Sequence, residues 1–166
     1  MGDAGGVVTS DKDIYEKLYQ LHDHGRDLEG NTKSWGRNSR LDNIQAAILN
    51  LKFVEYDKVI KRRREIANIY DSRLKHLEQL RLPNPPDSEP DHFDVFQNYE
   101  FEAEHRDDLR EHLIKNGIGT LIQWGGKGVH QWEALKFNLT IPGVEAFFKK
   151  CLMLPMNMFI SNDDVN

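Results

Sequence analysis

Three features of the sequence predict an α/β fold. Apolar residues keep a helical rhythm at Leu41, Ile44, Ile48 and Leu51, and the rhythm resumes at Ile66, Tyr70, Leu74 and Leu77. Past a proline-dense stretch (Pro83, Pro85, Pro86, Pro90), residues 93–103 alternate in strand fashion, with Val95, Gln97, Tyr99 and Phe101 on one side. Helix and strand signals then take turns to the end of the chain. A long helix leading into a strand–helix–strand–helix series predicts a small α/β unit docked on something else.

Taken in order, Val7, Val8 and Thr9 read as a strand end that follows the glycine-dense turn Gly2-Asp3-Ala4-Gly5-Gly6. Ser10 reads as a helix cap, with Asp13 three residues on. Ile14, Leu18 and Leu21 form one apolar face, and His24-Gly25 stops the helix. Residues 26–40 are polar and glycine-punctuated, hence a loop. They include Trp35, a costly side chain to leave in water, so the loop is expected to pack against something. No glycine or proline interrupts residues 41–82, which predicts one long helix or two nearly continuous ones. After the prolines come a strand at 93–103, an amphipathic helix at 106–116 ended by Gly117, a second strand at 118–123, a glycine loop at 125–128 and a last helix at 144–154.

Composition narrows the function classes. The 166 residues suffice for one ordinary domain, and 39% hydrophobic with 30% charged residues is a soluble, globular balance. No apolar run approaches the roughly 20 residues of a membrane helix. A formal net charge of −5 argues against a nucleic-acid surface. The single cysteine, Cys151, excludes an internal disulfide framework and fits a reducing cytoplasm, where the sequon-like Asn138-Leu139-Thr140 carries no meaning.

Several clusters invite a chemical reading. The opening glycines expose backbone N–H groups as phosphate-cradling loops do, but without a Walker lysine they read as a tight turn. His22 and His24 flank Asp23, a poor metal geometry at a helix end. The charges of residues 58–64 spread around two helical turns among Glu55, Asp57 and Glu65, and predict a solvated face. Residues 124–131 place Trp124, Lys127, His130 and Gln131 on a glycine-rich loop suited to an anionic small ligand, with plain packing of Trp124 as the alternative. Asn38-Ser39-Arg40 is either the cap of the long helix or an anion site at its N-terminus.

These pieces, in this order, resemble one family. Residues 2–9 (GDAGGVVT), His24-Gly25, and above all residues 36–47 (GRNSRLDNIQAA) are similar to the DegT/DnrJ/StrS sugar aminotransferases. These are fold-type-I enzymes that use pyridoxal 5′-phosphate to aminate nucleotide-linked keto-sugars, with glutamate the usual amino donor. The resemblance implies that residues 1–50 are a remnant of the large cofactor-binding domain, 51–82 a long connecting helix and 83–166 the small C-terminal α/β domain. It also implies that the lysine holding the cofactor as a Schiff base lies upstream of Met1. The chain would then supply no catalytic residue, would not bind the cofactor by itself, and would be inactive alone. Asn38 matches the asparagine that, in family homodimers, reaches the cofactor phosphate of the neighbouring subunit. Lys127, His130 and Arg40 are the implied substrate contacts. The form of residues 123–130 resembles the subgroup acting on dTDP-3-keto-6-deoxyhexoses. The rival readings are a non-catalytic remnant that serves only as an interaction module, and a fragment of a related dehydratase.

Overall fold

In a computed structural model, which describes residues 4–165, the chain divides into two units, Met1–Tyr56 and Asp57–Asn166. Gly2 and Asp3 of the opening turn lie outside the described residues.

The first unit holds two helices, α1 (Lys12–His22) and α2 (Asn43–Phe53), joined by a long loop. Asp11, not Ser10, caps α1: its Oδ1 accepts the backbone N–H groups of Asp13 and Ile14 at 2.9 and 3.0 Å. Residues 7–9 form no strand. Asp42 begins α2, its N–H donating to Gln45 Oε1, so Asn38 and Ser39 are not the cap. Neither helix buries a residue, and Gly25 is the only buried position among the described residues of this unit. Backbone hydrogen bonds, rather than a core, therefore shape it. The expected apolar stripe of α2 is open, with Ile44 77% and Leu51 75% exposed.

The predicted helical run over 41–82 resolves into two helices and then stops early. At Glu55 the backbone bonds to Lys52 O three residues back, which breaks the α-pattern without glycine or proline. Helix α3 (Tyr56–Leu74) follows, and turns closed by Leu77 N–H to Leu74 O and Leu80 N–H to Leu77 O lead out of it. The chain then enters β1 (Leu80–Arg81) rather than more helix.

The second unit is built on an antiparallel sheet in the order β1-β2-β3, with β2 (Tyr99–Ala103) between β1 and β3 (Cys151–Leu154). Leu80 faces Ala103, and Phe101 faces Leu152. Alternation in β2 buries Tyr99, Phe101 and Ala103 against Ile66, Ala67 and Tyr70 of α3, with Phe96, Leu152 and Met156 completing the core. Helix α4 (Arg106–Lys115) ends ahead of Gly117 at φ +79°, as predicted. The last predicted helix, 144–154, is corrected: α5 (Pro142–Lys150) gives way to β3, and a short α6 (Asn162–Val165) follows. A four-residue apolar run reads alike in a buried helix and a buried strand, and pairing with β2 decides it. The strand predicted at 118–123 reduces to one bridge, Leu121 with Met153.

The arginines of α3 are not a solvated face. Arg62 donates to Ile160 O and Asn162 Oδ1, and Arg63 to Phe96 O and Gln97 O. Arg64 donates to Asp94 O and Asp87 Oδ1 and stacks 4.2 Å from the Phe93 ring centroid. Each guanidinium satisfies a loop carbonyl, and those of Arg63 and Arg64 bond Asp94, Phe96 and Gln97, which holds 93–98 in place without a β ladder. No helix among the described residues is long and apolar enough to cross a membrane.

Candidate functional site

In the first unit the chain reverses at the end of α1. His24 and Gly25 take φ values of +56° and +78°, and the returning segment lies back along the helix end. Arg37 N–H donates to Leu21 O and Ser39 N–H to His22 O, both at 2.8 Å, while His24 N–H donates to Arg37 O at 3.0 Å. Asp23 and Asn38 pair as an isolated antiparallel bridge. The two passes of chain touch through glycines: a Cβ on Gly36 would lie 2.2 Å from Gly25 N, and one on Gly25 1.7 Å from Ser34 O. Asp27 closes the far turn, its Oδ1 accepting the Glu29 and Asn31 N–H groups. Trp35, on this loop, is 96% exposed.

This arrangement sets residues 38–41 against residues 4–9 across a cleft of about 970 Å³, with Tyr15, Tyr19 and His22 on its wall. Tyr15, Tyr19 and His22 sit at i, i+4 and i+7 of α1, with ring centroids 6.2 and 5.2 Å apart in succession. Sequence reading attended to the Ile14, Leu18 and Leu21 stripe and missed this polar-aromatic face, although its spacing was there to read. It also missed Asp23 as a partner of the site: Arg40 Nη1 lies 3.6 Å from Asp23 Oδ1, and Arg40 Nε donates to Asn38 Oδ1 at 3.2 Å. Asn38 and Arg40 are thus brought together in one cleft. Amide donors beside a guanidinium, with no carboxylate lining the cleft among the described residues, suit a phosphate. No lysine lines it among the described residues. The triplet of residues 22–24 gathers no metal-ligand cluster among the described residues.

Lys127 and His130 belong to the second unit. Lys127 follows the tight turn Gln123–Gly126 in extended backbone, and His130 lies within the turn Val129–Gln131. Lys127 is exposed, as is Trp124. His130 is only 6% exposed, and its Nε2 lies 3.1 Å from Glu145 Oε1. That hydrogen bond, with a second from Ile141 N–H, holds the Glu145 carboxyl below the usual range. Gly128 makes the enclosure possible: a Cβ there would lie 2.8 Å from both the His130 ring and Val144. Of the two predicted contacts, Lys127 faces solvent and His130 anchors the loop.

The family model of the DegT/DnrJ/EryC1/StrS aminotransferases matches residues 1–166. The chain belongs to this family. Family members depend on pyridoxal phosphate and take the type-I aminotransferase fold. Over 160 residues the chain is 34% identical to dTDP-3-amino-3,4,6-trideoxy-alpha-D-glucose transaminase of Streptomyces venezuelae, covering 93% of this chain and 41% of that protein. It is 29% identical over 168 residues to dTDP-3-amino-3,6-dideoxy-alpha-D-galactopyranose transaminase of Aneurinibacillus thermoaerophilus, covering 97% and 44%. Among solved structures, S. venezuelae DesV in complex with a ketimine intermediate superposes with a TM-score of 0.82 at 31% identity, over 95% of this chain and 43% of DesV. A family aminotransferase from Brucella abortus gives 0.79 at 29% identity, over 95% and 42%. The chain therefore spans about two fifths of the length of these family relatives.

Proposed function

We propose that these residues are the phosphate-side portion of a nucleotide-sugar aminotransferase that acts on a dTDP-linked 3-keto-6-deoxyhexose with glutamate as amino donor. The observation that carries the reading is the amide of Asn38, held beside Arg40 at a cleft that residues 4–9 line from the other side. When bound, pyridoxal phosphate supplies the electron sink through which an amino group passes from donor to keto-sugar. The part of this chain is to hold and orient. Asn38 donates to the phosphate of a neighbouring copy in a homodimer, and the open stripe of α2 gives such an assembly apolar surface to cover. Arg40 brings positive charge to the same cleft, and Lys127 meets the substrate's diphosphate from its exposed loop. His130 serves substrate binding through the turn it anchors on Glu145. Among the described residues no lysine lines the cleft to form an imine, and on this reading the 166 residues do not transaminate by themselves.

The relatives named for dTDP-3-amino sugars support the substrate class. The test is a chimera in which this chain replaces the matching region of the S. venezuelae transaminase. The chimera is expected to aminate a dTDP-linked 3-keto-6-deoxyhexose in preference to a UDP-linked keto-sugar. Asn38→Ala in that background should weaken cofactor retention about tenfold, the loss of one hydrogen bond to a charged group. Equal retention by the Asn38→Ala chimera would refute the phosphate role.

A further inference from the structure

We infer that Asp23 is a positioning residue: through Arg40 it fixes the Asn38 carboxamide with its two N–H groups presented to a phosphate. The inference rests on the reading of Asn38 as the phosphate donor. Arg40 Nε can only donate, so the Asn38 atom that faces it at 3.2 Å is the carbonyl Oδ1. Nδ2, a pure donor with no partner among the described residues, is left for an anion. An asparagine free to flip would offer its oxygen to the phosphate half the time, and that orientation repels. Arg40 is itself held from behind. Asp23 Oδ1 is shielded from solvent and receives no hydrogen bond; the Arg40 guanidinium lies 3.6 Å from it through Nη1, and the His24 ring nitrogen Nε2 lies at 3.9 Å. A carboxylate oxygen removed from water needs that guanidinium, so the ion pair resists loss of its geometry. The backbone fixes the two ends independently, because Asp23 and Asn38 are bridge partners. The triad therefore spans a frame that does not depend on the side chains it orients.

The sign of one mutational effect separates positioning from plain electrostatics. Asp23→Asn removes a negative charge beside an anion site, and charge alone then predicts tighter phosphate binding. Positioning predicts weaker binding, by about threefold, since the ion pair that anchors Arg40 is lost.

The experiment is NMR on the full 166-residue chain, following the Asn38 side-chain amide through an inorganic phosphate titration to high millimolar concentration. Asp23→Asn and Arg40→Lys are expected to weaken phosphate binding and, before any phosphate is added, to raise the mobility of that amide. The lysine variant keeps the charge and loses the Nε donor, so its effect cannot be charge. Backbone spectra that match the wild type establish that each variant is folded. Tighter or unchanged phosphate binding in Asp23→Asn, or an Asn38 amide as rigid as in wild type, overturns the inference. Asn38→Ala is the separate control. If it leaves phosphate binding intact, the donor reading of Asn38 fails, and the ligand-free mobility of Asn38 in Asp23→Asn still decides whether the relay exists.

Discussion

Gly25→Ala is expected to abolish the loop that carries Asn38 while leaving the second unit folded. The new Cβ would sit 1.7 Å from Ser34 O and 2.6 Å from Ser34 C, and both are backbone atoms that cannot rotate away. Gly25 also holds φ +78°, a conformation an L-residue adopts at a cost. Strain and overlap together amount to roughly 3–5 kcal/mol. The first unit has little with which to absorb it, since Gly25 is its only buried position among the described residues. Amide hydrogen exchange reads the outcome. Protection should be lost at Gly25, Lys33 and Arg37, whose N–H groups bond to Gln20 O, Gly25 O and Leu21 O. The amides of β2 and β3 should exchange as in wild type. Retained protection at Lys33 and Arg37 would mean that the crossing of the two chain passes is not what shapes the loop.

Phe96→Ala is expected to cost the second unit about 3–5 kcal/mol, the range for truncating a buried aromatic. Phe96 is 1% exposed and stacks on Tyr99 with ring centroids 6.4 Å apart. Its backbone is pinned as well, the N–H donating to Asp94 Oδ1 at 2.7 Å and the carbonyl accepting from Arg63 at 3.0 Å. Those bonds hold the residue at φ +49°, so the ring enters the core from a strained turn rather than from a strand. Truncation leaves a void that the pinned backbone cannot close. Urea unfolding followed by tryptophan-independent far-ultraviolet dichroism measures the loss. A change below about 1 kcal/mol would show that the segment collapses freely and that the arginine anchors are weak.

What the sequence made legible follows from how local each signal is. Helices α1 and α4 were readable because a rhythm of three and four, with a stop at His24-Gly25 or Gly117, is complete within a dozen residues. Cys151–Leu154 was not, because four consecutive apolar residues carry no period and only β2 can recruit them. The same limit hid the role of Arg62, Arg63 and Arg64. Their partners lie roughly 20 to 100 positions away, in loops and at the start of α6, and from sequence alone an arginine run on a helix reads as solvated charge. At the candidate site, Asn38 and Arg40 read from the residues alone as either a helix cap or an anion site, and the family likeness supplied the expected phosphate and substrate roles. Asp23 stood in plain view between two histidines, but its service to Arg40 depends on a chain reversal that two glycines make possible.

The central claim is that these residues bring a phosphate-holding asparagine, and no imine-forming lysine, to aminotransferase chemistry. Borohydride reduction of the 166-residue chain after incubation with pyridoxal phosphate, followed by peptide mass mapping and an amination assay, tests it most directly. The account predicts at most scattered, substoichiometric labelling of surface lysines such as Lys12 and Lys127, and no amination of a dTDP-linked keto-sugar. One stoichiometric adduct on a single lysine, in a chain that also turns over substrate, would contradict it.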